Sequence, residues 1–437
     1  MAKIIFLPLP EAGHIYPTFG LASQLTARGH EIGYMAPPDG EEFLRARSWP
    51  FTPILEDVLP KGLMAGLEAR MGEPGLRLRE RLNLISEFFS RGAARDAEVL
   101  FGSSFEARLR ESRADLLIVD ATFPMPILAA HKVKIPAVQI CANLPLRRDL
   151  AVPPLTSDHI PTGTALSRLR IRLHWWSIHF GSGLLGARKL RAQVREFFRQ
   201  HPDAVPGDFH AHLQLGPNLR IPTLVTCAPE FDFPRDSSEG LHYLGPCVDL
   251  SRPEAPLPAE LPSGDAPLLV CSLGSHGDRV REHRAFFQAV IDAVARRPQW
   301  RLLMAVGSHL GAASFGTPPP NVVVVDKLPQ LSALKRASLM ITHGGLSSVK
   351  ECICLGVPML VYPLVYDQPG NAARVVHHGL GLRGNVRQAS AEKIGAQIDE
   401  VAGNPAYRDR VRALQRVFLE ADEAGRGAET VERLLRR

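Results

Sequence analysis

The chain has 437 residues, with 51 Lys and Arg against 45 Asp and Glu, a net charge of +6. Hydrophobic residues make up 45% and charged residues 22%, which excludes a disordered chain, a collagen and a coiled coil and leaves a soluble globular protein of two or three domains. The basic balance favours an anionic partner, but the positive charges are interleaved with acids and no DNA- or RNA-binding motif is present, so nucleic acid is not expected.

Residues 3–8 (KIIFLP) form an unbroken apolar run, the pattern of a strand buried on both faces. Pro8 and Pro10 break it too soon for a signal peptide, and no apolar stretch reaches the roughly 20 residues of a membrane span, so a cytoplasmic location is expected. A Pro- and Gly-rich loop leads to a helical pattern over 17–28, closed by Gly29, and then to a second apolar run at 31–36 (EIGYMA). That order, strand–loop–helix–strand, begins a doubly wound parallel sheet. The same texture returns at 116–120 (LLIVD) and 135–140 (IPAVQI), whereas 150–220 reads as helices and long loops.

Six prolines within 246–267 argue against a helix or a central strand and mark a semi-rigid linker. Strand candidates then resume at 268–274, 301–306, 321–326, 339–342 and 358–363, with helical patterns between them, such as 282–297. The expectation is α/β, with one unit over 1–245, a linker over 246–267 and a second unit over 268–437. The last helices, from about 404, could pack back on the first unit. The six cysteines (141, 227, 247, 271, 352, 354) lie in apolar surroundings without a C-x-x-C and read as buried free thiols; Cys352 and Cys354, two apart on a helix, cannot share a metal.

Ligands gather beyond the carboxyl ends of parallel strands. After the first strand comes His14, read as a loop residue just ahead of a helix and suited to general-base work near neutral pH. Asp120 ends the run LLIVD. If its strand neighbours the first, Asp120 can support His14; a loop His and a capping Asp are the plain alternative. In the second unit a strand delivers His343, Gly344 and Gly345 allow close backbone approach, and a helix begins near Ser347. A helix N-terminus with two hydroxyls, Ser347 and Ser348, and an adjacent His is an anion site suited to a diphosphate. Glu351, one turn on, can accept from ribose hydroxyls. Gly274 and Ser275 make a second anion-friendly turn, and Asp367 and Gln368 pair a carboxylate with an amide, a common grip on sugar hydroxyls. Turn chemistry and helix capping would explain these residues equally simply.

Other features carry less. Gly379, Gly381 and Gly384 match G-x-G-x-x-G, but the run follows a helix and leads into a strand, the reverse of the dinucleotide fingerprint, and reads as a helix C-cap. Glu230 and Asp232 sit among prolines and read as structural; His377 with His378 and His210 with His212 lack partners at metal-ligand spacing. No P-loop and no G-x-S-x-G motif is present. Residues 166–199 hold Arg168, Arg170, Arg172, Arg188, Lys189, Arg191, Arg195 and Arg199 with Glu196 the lone acid, and Leu169, Leu173, Trp176 and Phe180 form one helical stripe. Such a segment can contact an anionic membrane or serve as a lid or core helix.

The combination LPQ (328–330), THGG-x-SS-x-x-E (342–351), GVP (356–358) and DQPGNAARV (367–375) resembles the donor-binding signature of the family 1 nucleotide-sugar-dependent glycosyltransferases. GH-x-x-P (Gly13, His14, Pro17) resembles that family's N-terminal catalytic loop, and SLGS (272–275) its phosphate loop. The resemblance implies a GT-B fold: two Rossmann-like domains, the first binding the acceptor and the second the nucleotide sugar, with the active site between them. It implies an inverting, metal-independent O-glycosyltransferase in which His14, backed by Asp120, deprotonates the acceptor hydroxyl. Gly274, Ser275, His343, Gly345, Ser347 and Ser348 would hold the diphosphate, Leu328, Gln330 and Glu351 the nucleoside, and Asp367 and Gln368 the sugar.

The implied partners are a UDP- or dTDP-sugar and a hydrophobic small-molecule acceptor, with no other cofactor and no metal. Lys327 stands where many members have a stacking aromatic, which leaves uracil or thymine open; Ser347 stands where plant members usually have Asn. NLPLRRD (143–149) and APEFDFPR (228–235) are similar to bacterial zeaxanthin glucosyltransferases and related natural-product enzymes. Rival readings are a same-fold epimerase, a transferase working on a lipid at the membrane, and a nucleotide-sugar-binding accessory protein, which would lack a working His14. A homodimer is left open.

Overall fold

A computed structural model describes residues 1–45, 47–63, 66, 70, 77–184, 187–204, 207–208, 218–258, 261, 264–274, 282–423 and 425–436. Two parallel sheets organise the chain. The first holds β1 (Lys3–Leu7), β2 (Glu31–Ala36), β3 (Phe51–Pro53), β4 (Leu116–Asp120), β5 (Ala137–Cys141), β8 (Thr223–Val225) and β9 (Leu241–Tyr243) in the order β3-β2-β1-β4-β5-β8-β9. A two-residue pair, β6 (Gly207–Asp208) with β7 (Asn218–Leu219), lies apart from it.

The second sheet holds β10 (Leu268–Ser272), β11 (Arg301–Ala305), β12 (Val322–Val325), β13 (Ala337–Thr342), β14 (Met359–Val361) and β15 (Gly381–Arg383), ordered β12-β11-β10-β13-β14-β15. The apolar runs become central strands because both faces are covered: every residue of β4 is buried, and Ile4, Phe6 and Leu7 of β1 are wholly enclosed.

The helices of the first half are α1 (Ala12–Ala27), α2 (Glu41–Leu44), α3 (Leu78–Phe101), α4 (Ser103–Ser112), α5 (Met125–Lys132), α6 (Ala165–Leu184) and α7 (Ala187–Gln200). Those of the second are α8 (Glu282–Ala295), α9 (Gln330–Leu334), α10 (Leu346–Cys354), α11 (Gln368–His377), α12 (Ala391–Gly403), α13 (Pro405–Glu423) and α14 (Arg426–Leu435). The whole is two doubly wound α/β halves, the architecture the family resemblance implies. Among the described residues no helix is long and apolar enough to cross a membrane.

One expectation is corrected. The helix predicted over 17–28 begins at Ala12, so His14 lies in its first turn and not in a loop ahead of it. The carbonyl of Glu11 accepts the N–H groups of His14 (3.0 Å) and Ile15 (2.9 Å), and the helix runs through Pro17. Pro17 has no N–H for the carbonyl four residues back, and it is carried inside the helix in a stretch where Ile15, Pro17 and Phe19 are all buried.

The halves are joined by more than the linker. Ala121, Leu146 and Phe231 of the first share one apolar cluster with Leu346, Val349, Ala372 and Phe418 of the second. The backbone N–H of Gly370 bonds the carbonyl of Leu155 at 2.7 Å, and a Cβ on Gly370 would stand 2.6 Å from that oxygen. Lys350, fully buried on α10, donates to the backbone carbonyl of Thr226. The chain finally crosses back: Ala428 and Val431 of α14 pack with Leu21 and Leu25 of α1, and Arg28 pairs with Glu432 at 3.0 Å.

Candidate functional site

The site forms where the carboxyl ends of the two sheets meet. β4 lies beside β1, with Leu7 opposite Val119, so the residues following the two strands converge. His14 Nδ1 is 2.7 Å from Asp120 Oδ2, and Asp120 Oδ1 accepts from both the backbone N–H (2.8 Å) and the hydroxyl (2.5 Å) of Thr122. Thr122 thus fixes the carboxylate that fixes the imidazole, leaving Nε2 as the nitrogen to meet a substrate. Burial alone would lower the His14 pKa, but the charge and hydrogen bond of Asp120 outweigh it and raise it to about 9. Burial opposes ionisation of Asp120 too, yet the His14 charge and the Thr122 bonds hold its carboxyl below the usual range. Asp367 of the second half also acts on the His14 charge, which places that carboxylate within electrostatic reach of the dyad.

His343 follows β13 and stands between two glycines. A Cβ on Gly274 would come within 2.5 Å of its Cε1, and one on Gly345 within 2.5 Å of its Nε2. Gly274 has φ +71°, a conformation that side-chain-bearing residues rarely adopt. Gly345 is the N-cap of α10, and no side chain caps that end, so the first-turn N–H groups and the positive end of the dipole are left for an anion. Ser347 is half-buried and Ser348 buried in that first turn. Ser275, predicted beside them, lies outside the described residues.

Gln330, Ser348 and Glu351 come together. Gln330 Nε2 donates to Ser348 Oγ (3.1 Å) and to Glu351 Oε2 (2.5 Å). Glu351 is buried, and its other oxygen accepts from Arg252 Nη1 at 2.6 Å. Leu328 packs half-buried beside Leu261, Val270 and Ala333, bracing the approach to α9 without offering a polar group. Tyr16, Arg252, Ser347 and Glu351 line a small, partly open cavity of about 10 Å³ between the halves.

Asp367 occupies the N-cap position of α11 without a side-chain capping bond, and Gln368 opens that helix. Gln368 Oε1 accepts the N–H groups of Leu364 (2.8 Å) and Val365 (3.0 Å), which fixes the amide and leaves Nε2 as its donor. Burial pushes the Asp367 carboxyl up, opposed by the hydrogen bond from Asn371. Asn371 Nδ2 bridges Asp367 Oδ2 (2.7 Å) and the carbonyl of Gly344 (2.9 Å), tying the sugar-binding candidate to the turn after His343.

Several residues around this arrangement carried no sequence assignment, among them Thr122, Asn371, Arg252 and Glu254. Asn371 lay inside the DQPGN run and could have been found from its i, i+4 spacing to Asp367. Arg252 and Glu254 lay in the Pro-rich segment read only as a spacer. The features set aside stay apart: Gly379, with φ +63°, turns the chain from α11 into β15, and Asp232 is locked in a buried ion pair with Arg374. His378 bonds the carbonyl of Phe231 at 3.1 Å, while His210 and His212 lie outside the described residues. All six cysteines are buried thiols outside any disulfide.

Residues 222–422 match the family model described as "UDP-glucoronosyl and UDP-glucosyl transferase". The chain is 28% identical to demethyllactenocin mycarosyltransferase of Streptomyces fradiae, over all of this chain and 87% of that protein. It is 26% identical to zeaxanthin glucosyltransferase of Pantoea ananas, over all of this chain and 96% of that protein. Among solved structures it is similar to the glycotransferase of kitacinnamycin, with a TM-score of 0.71 at 22% identity, covering 99% of each chain.

Proposed function

We propose that the chain is a family 1 glycosyltransferase, an inverting, metal-independent enzyme that moves a hexose from a UDP- or dTDP-sugar to a hydroxyl of a hydrophobic natural product. The observation that carries the reading is the His14–Asp120 pair at 2.7 Å, set within reach of Asp367 across the seam between the halves. His14 Nε2 takes the acceptor proton as the oxygen attacks the anomeric carbon, and Asp120 stabilises the resulting imidazolium. The diphosphate departs toward His343, Ser347, Ser348 and the N–H groups at the start of α10, where the helix dipole meets its developing charge; Gly274 and Gly345 keep that approach open, and Ser275 belongs to the same group. Gln330 and Glu351, together with Leu328, receive the nucleoside, and Asp367 and Gln368 the sugar hydroxyls.

The two relatives are named for a mycarosyl and a glucosyl transfer, the second to a carotenoid, which supports an apolar acceptor. A cytoplasmic location belongs to the same reading. The first test is thermal unfolding against UDP, UDP-glucose, dTDP, dTDP-glucose, GDP-mannose and NAD. A ligand at about a hundred times its Kd stabilises the native state by about 2.7 kcal/mol. A shift with uracil or thymine nucleotides alone supports the donor site and names the base; a shift with NAD alone, or none, overturns it.

One observation favours collection of the acceptor at a membrane. On α6, Leu166, Leu169 and Leu173 are exposed on the side opposite buried Ile171 and Trp175, with exposed Arg170 and Arg172 flanking them. Co-sedimentation with anionic vesicles that fades at high salt supports this; no binding at low salt removes it.

A further inference from the structure

The segment between the two sheets places Arg252 in the seam. Its guanidinium reaches Glu351 from one nitrogen (Nη1···Oε1 2.6 Å) and Glu254 from the other (Nη2···Oε1 3.2 Å). It also lies 5.3 Å from the ring centroid of Tyr16, two residues beyond His14 on α1. Glu254 accepts the N–H groups of Leu331 (3.0 Å) and Ser332 (2.8 Å), capping α9 where Pro329 provides no side-chain cap. Gln330, the first residue of α9, bonds the second oxygen of Glu351. The Glu351 carboxylate is therefore held on both oxygens, once from the joining segment and once from α9.

A buried carboxylate is costly unless it is paired and directed. A carboxylate that accepts hydroxyl groups must also keep one orientation before its ligand arrives. A guanidinium supplies both needs, because its planar fork binds two acceptors at fixed angles, whereas an ammonium is a point charge. We propose that Arg252 is a positioning residue for the nucleoside end of the donor site. It aims Glu351, and through Glu254 it holds the start of α9 against α10. This rests on the reading that Glu351 binds the nucleoside.

The experiment measures the Kd of UDP and dTDP by calorimetry, and donor KM and kcat, for R252M, R252K, E351Q and R252M/E351Q, each checked for a cooperative melt. R252M weakens nucleotide binding roughly tenfold or more, as loss of a hydrogen bond to a charged group predicts, and raises donor KM with little change in kcat. R252K, which restores the charge without the fork, falls between R252M and the parent. In the E351Q background R252M costs several-fold less than in the parent, because the carboxylate it aims is already altered and only the brace through Glu254 is left to lose.

Three results overturn the proposal. In the first, R252M binds like the parent while E351Q is weakened, which removes Arg252 and leaves the nucleoside site standing. The R252M loss can be equal in both backgrounds, which assigns Arg252 to general stability. E351Q can bind like the parent, which removes the nucleoside reading of Glu351 and Arg252's role with it. Where R252M fails to fold, R252K with and without E351Q decides by the same comparison.

Discussion

Arg374 and Asp232 form a two-pronged ion pair wholly inside the protein, with Nε and Nη2 reaching one carboxylate oxygen at 3.0 and 2.6 Å. Arg374 comes from α11, beside the sugar-binding candidates, and Asp232 from the first half of the chain. Asp232's second oxygen accepts from Arg235 Nε (2.7 Å) and the Tyr243 hydroxyl (3.0 Å), so one carboxylate anchors donors from both halves.

Removing that charge should loosen the junction. D232N leaves Arg374 buried with no counter-charge, and a loss of about 3–5 kcal/mol in chemical denaturation is expected. Burial opposes ionisation of Asp232, but Arg374 and Arg235 outweigh it and hold its pKa at about 2. The folded value is below the unfolded one, so this stabilisation is present above about pH 4 and is lost as pH falls toward 2. D232N should flatten the denaturation profile across that window; an unchanged acid limb would show that other carboxylates set it.

The His14 dyad predicts a pH–rate profile. With the His14 pKa raised to about 9, the free imidazole is the minor form at neutral pH, so kcat/KM should rise with pH, reach half its maximum near 9 and level off above that. H14A should lose about 10²-fold or more in kcat. D120N removes the charge that raises the pKa, so the ascending limb should move to lower pH by about one unit or more while the plateau falls. The stability sign is opposite to that of Asp232: the pair's contribution is complete below about pH 6.5 and is lost as pH rises through about 9. Histidine NMR titration of parent and D120N checks the assignment.

The glycines around His343 give a steric prediction. G345A places a methyl within 2.5 Å of His343 Nε2 and G274A one within 2.5 Å of Cε1, so the ring must move in either variant. G274A also carries a backbone cost of about 1–2 kcal/mol, because Gly274 has φ +71°. Both should weaken UDP or dTDP binding, whereas G403A, with nothing within 4 Å of the added carbon, should leave it unchanged. Nucleotide affinity equal to the parent's in G345A would separate His343 from the diphosphate.

The fold was legible where burial wrote it into the chain. EIGYMA and LLIVD become strands with the expected bounds because neighbours cover both faces. β3 and β9 escaped notice because each is three residues long and not uniformly buried, so neither makes an apolar run. Pro17 hid the start of α1, since proline usually marks a boundary and here is carried inside the helix. At the site, strand–Gly–Gly–helix grammar was enough to bring His343, Ser348 and Glu351 forward. Arg252 was invisible for a different reason: a Pro-rich stretch reads the same whether it is a spacer or a brace, and its partner Glu351 is 99 residues away.

Asn371 offers the sharpest separation between sugar and nucleotide. Its amide joins the Asp367 carboxylate to the Gly344 carbonyl, and it touches neither Glu351 nor Gln330. N371A should therefore free Asp367 to turn and lengthen the link between α11 and the turn at Gly344, without disturbing the nucleoside end. Loss of a bond to a charged group predicts a fall of roughly tenfold or more in kcat/KM for the donor sugar, with the Kd of UDP or dTDP within about twofold of the parent. Asn371 is fully buried, so some loss of stability is also expected, and N371D serves as the second variant. It keeps the volume but sets a carboxylate against Asp367 and the Gly344 carbonyl, so it should depress donor turnover more than N371A at neutral pH. Equal loss of nucleotide binding and of turnover in both variants would place Asn371 in general support of the turn, and not in the grip on the sugar.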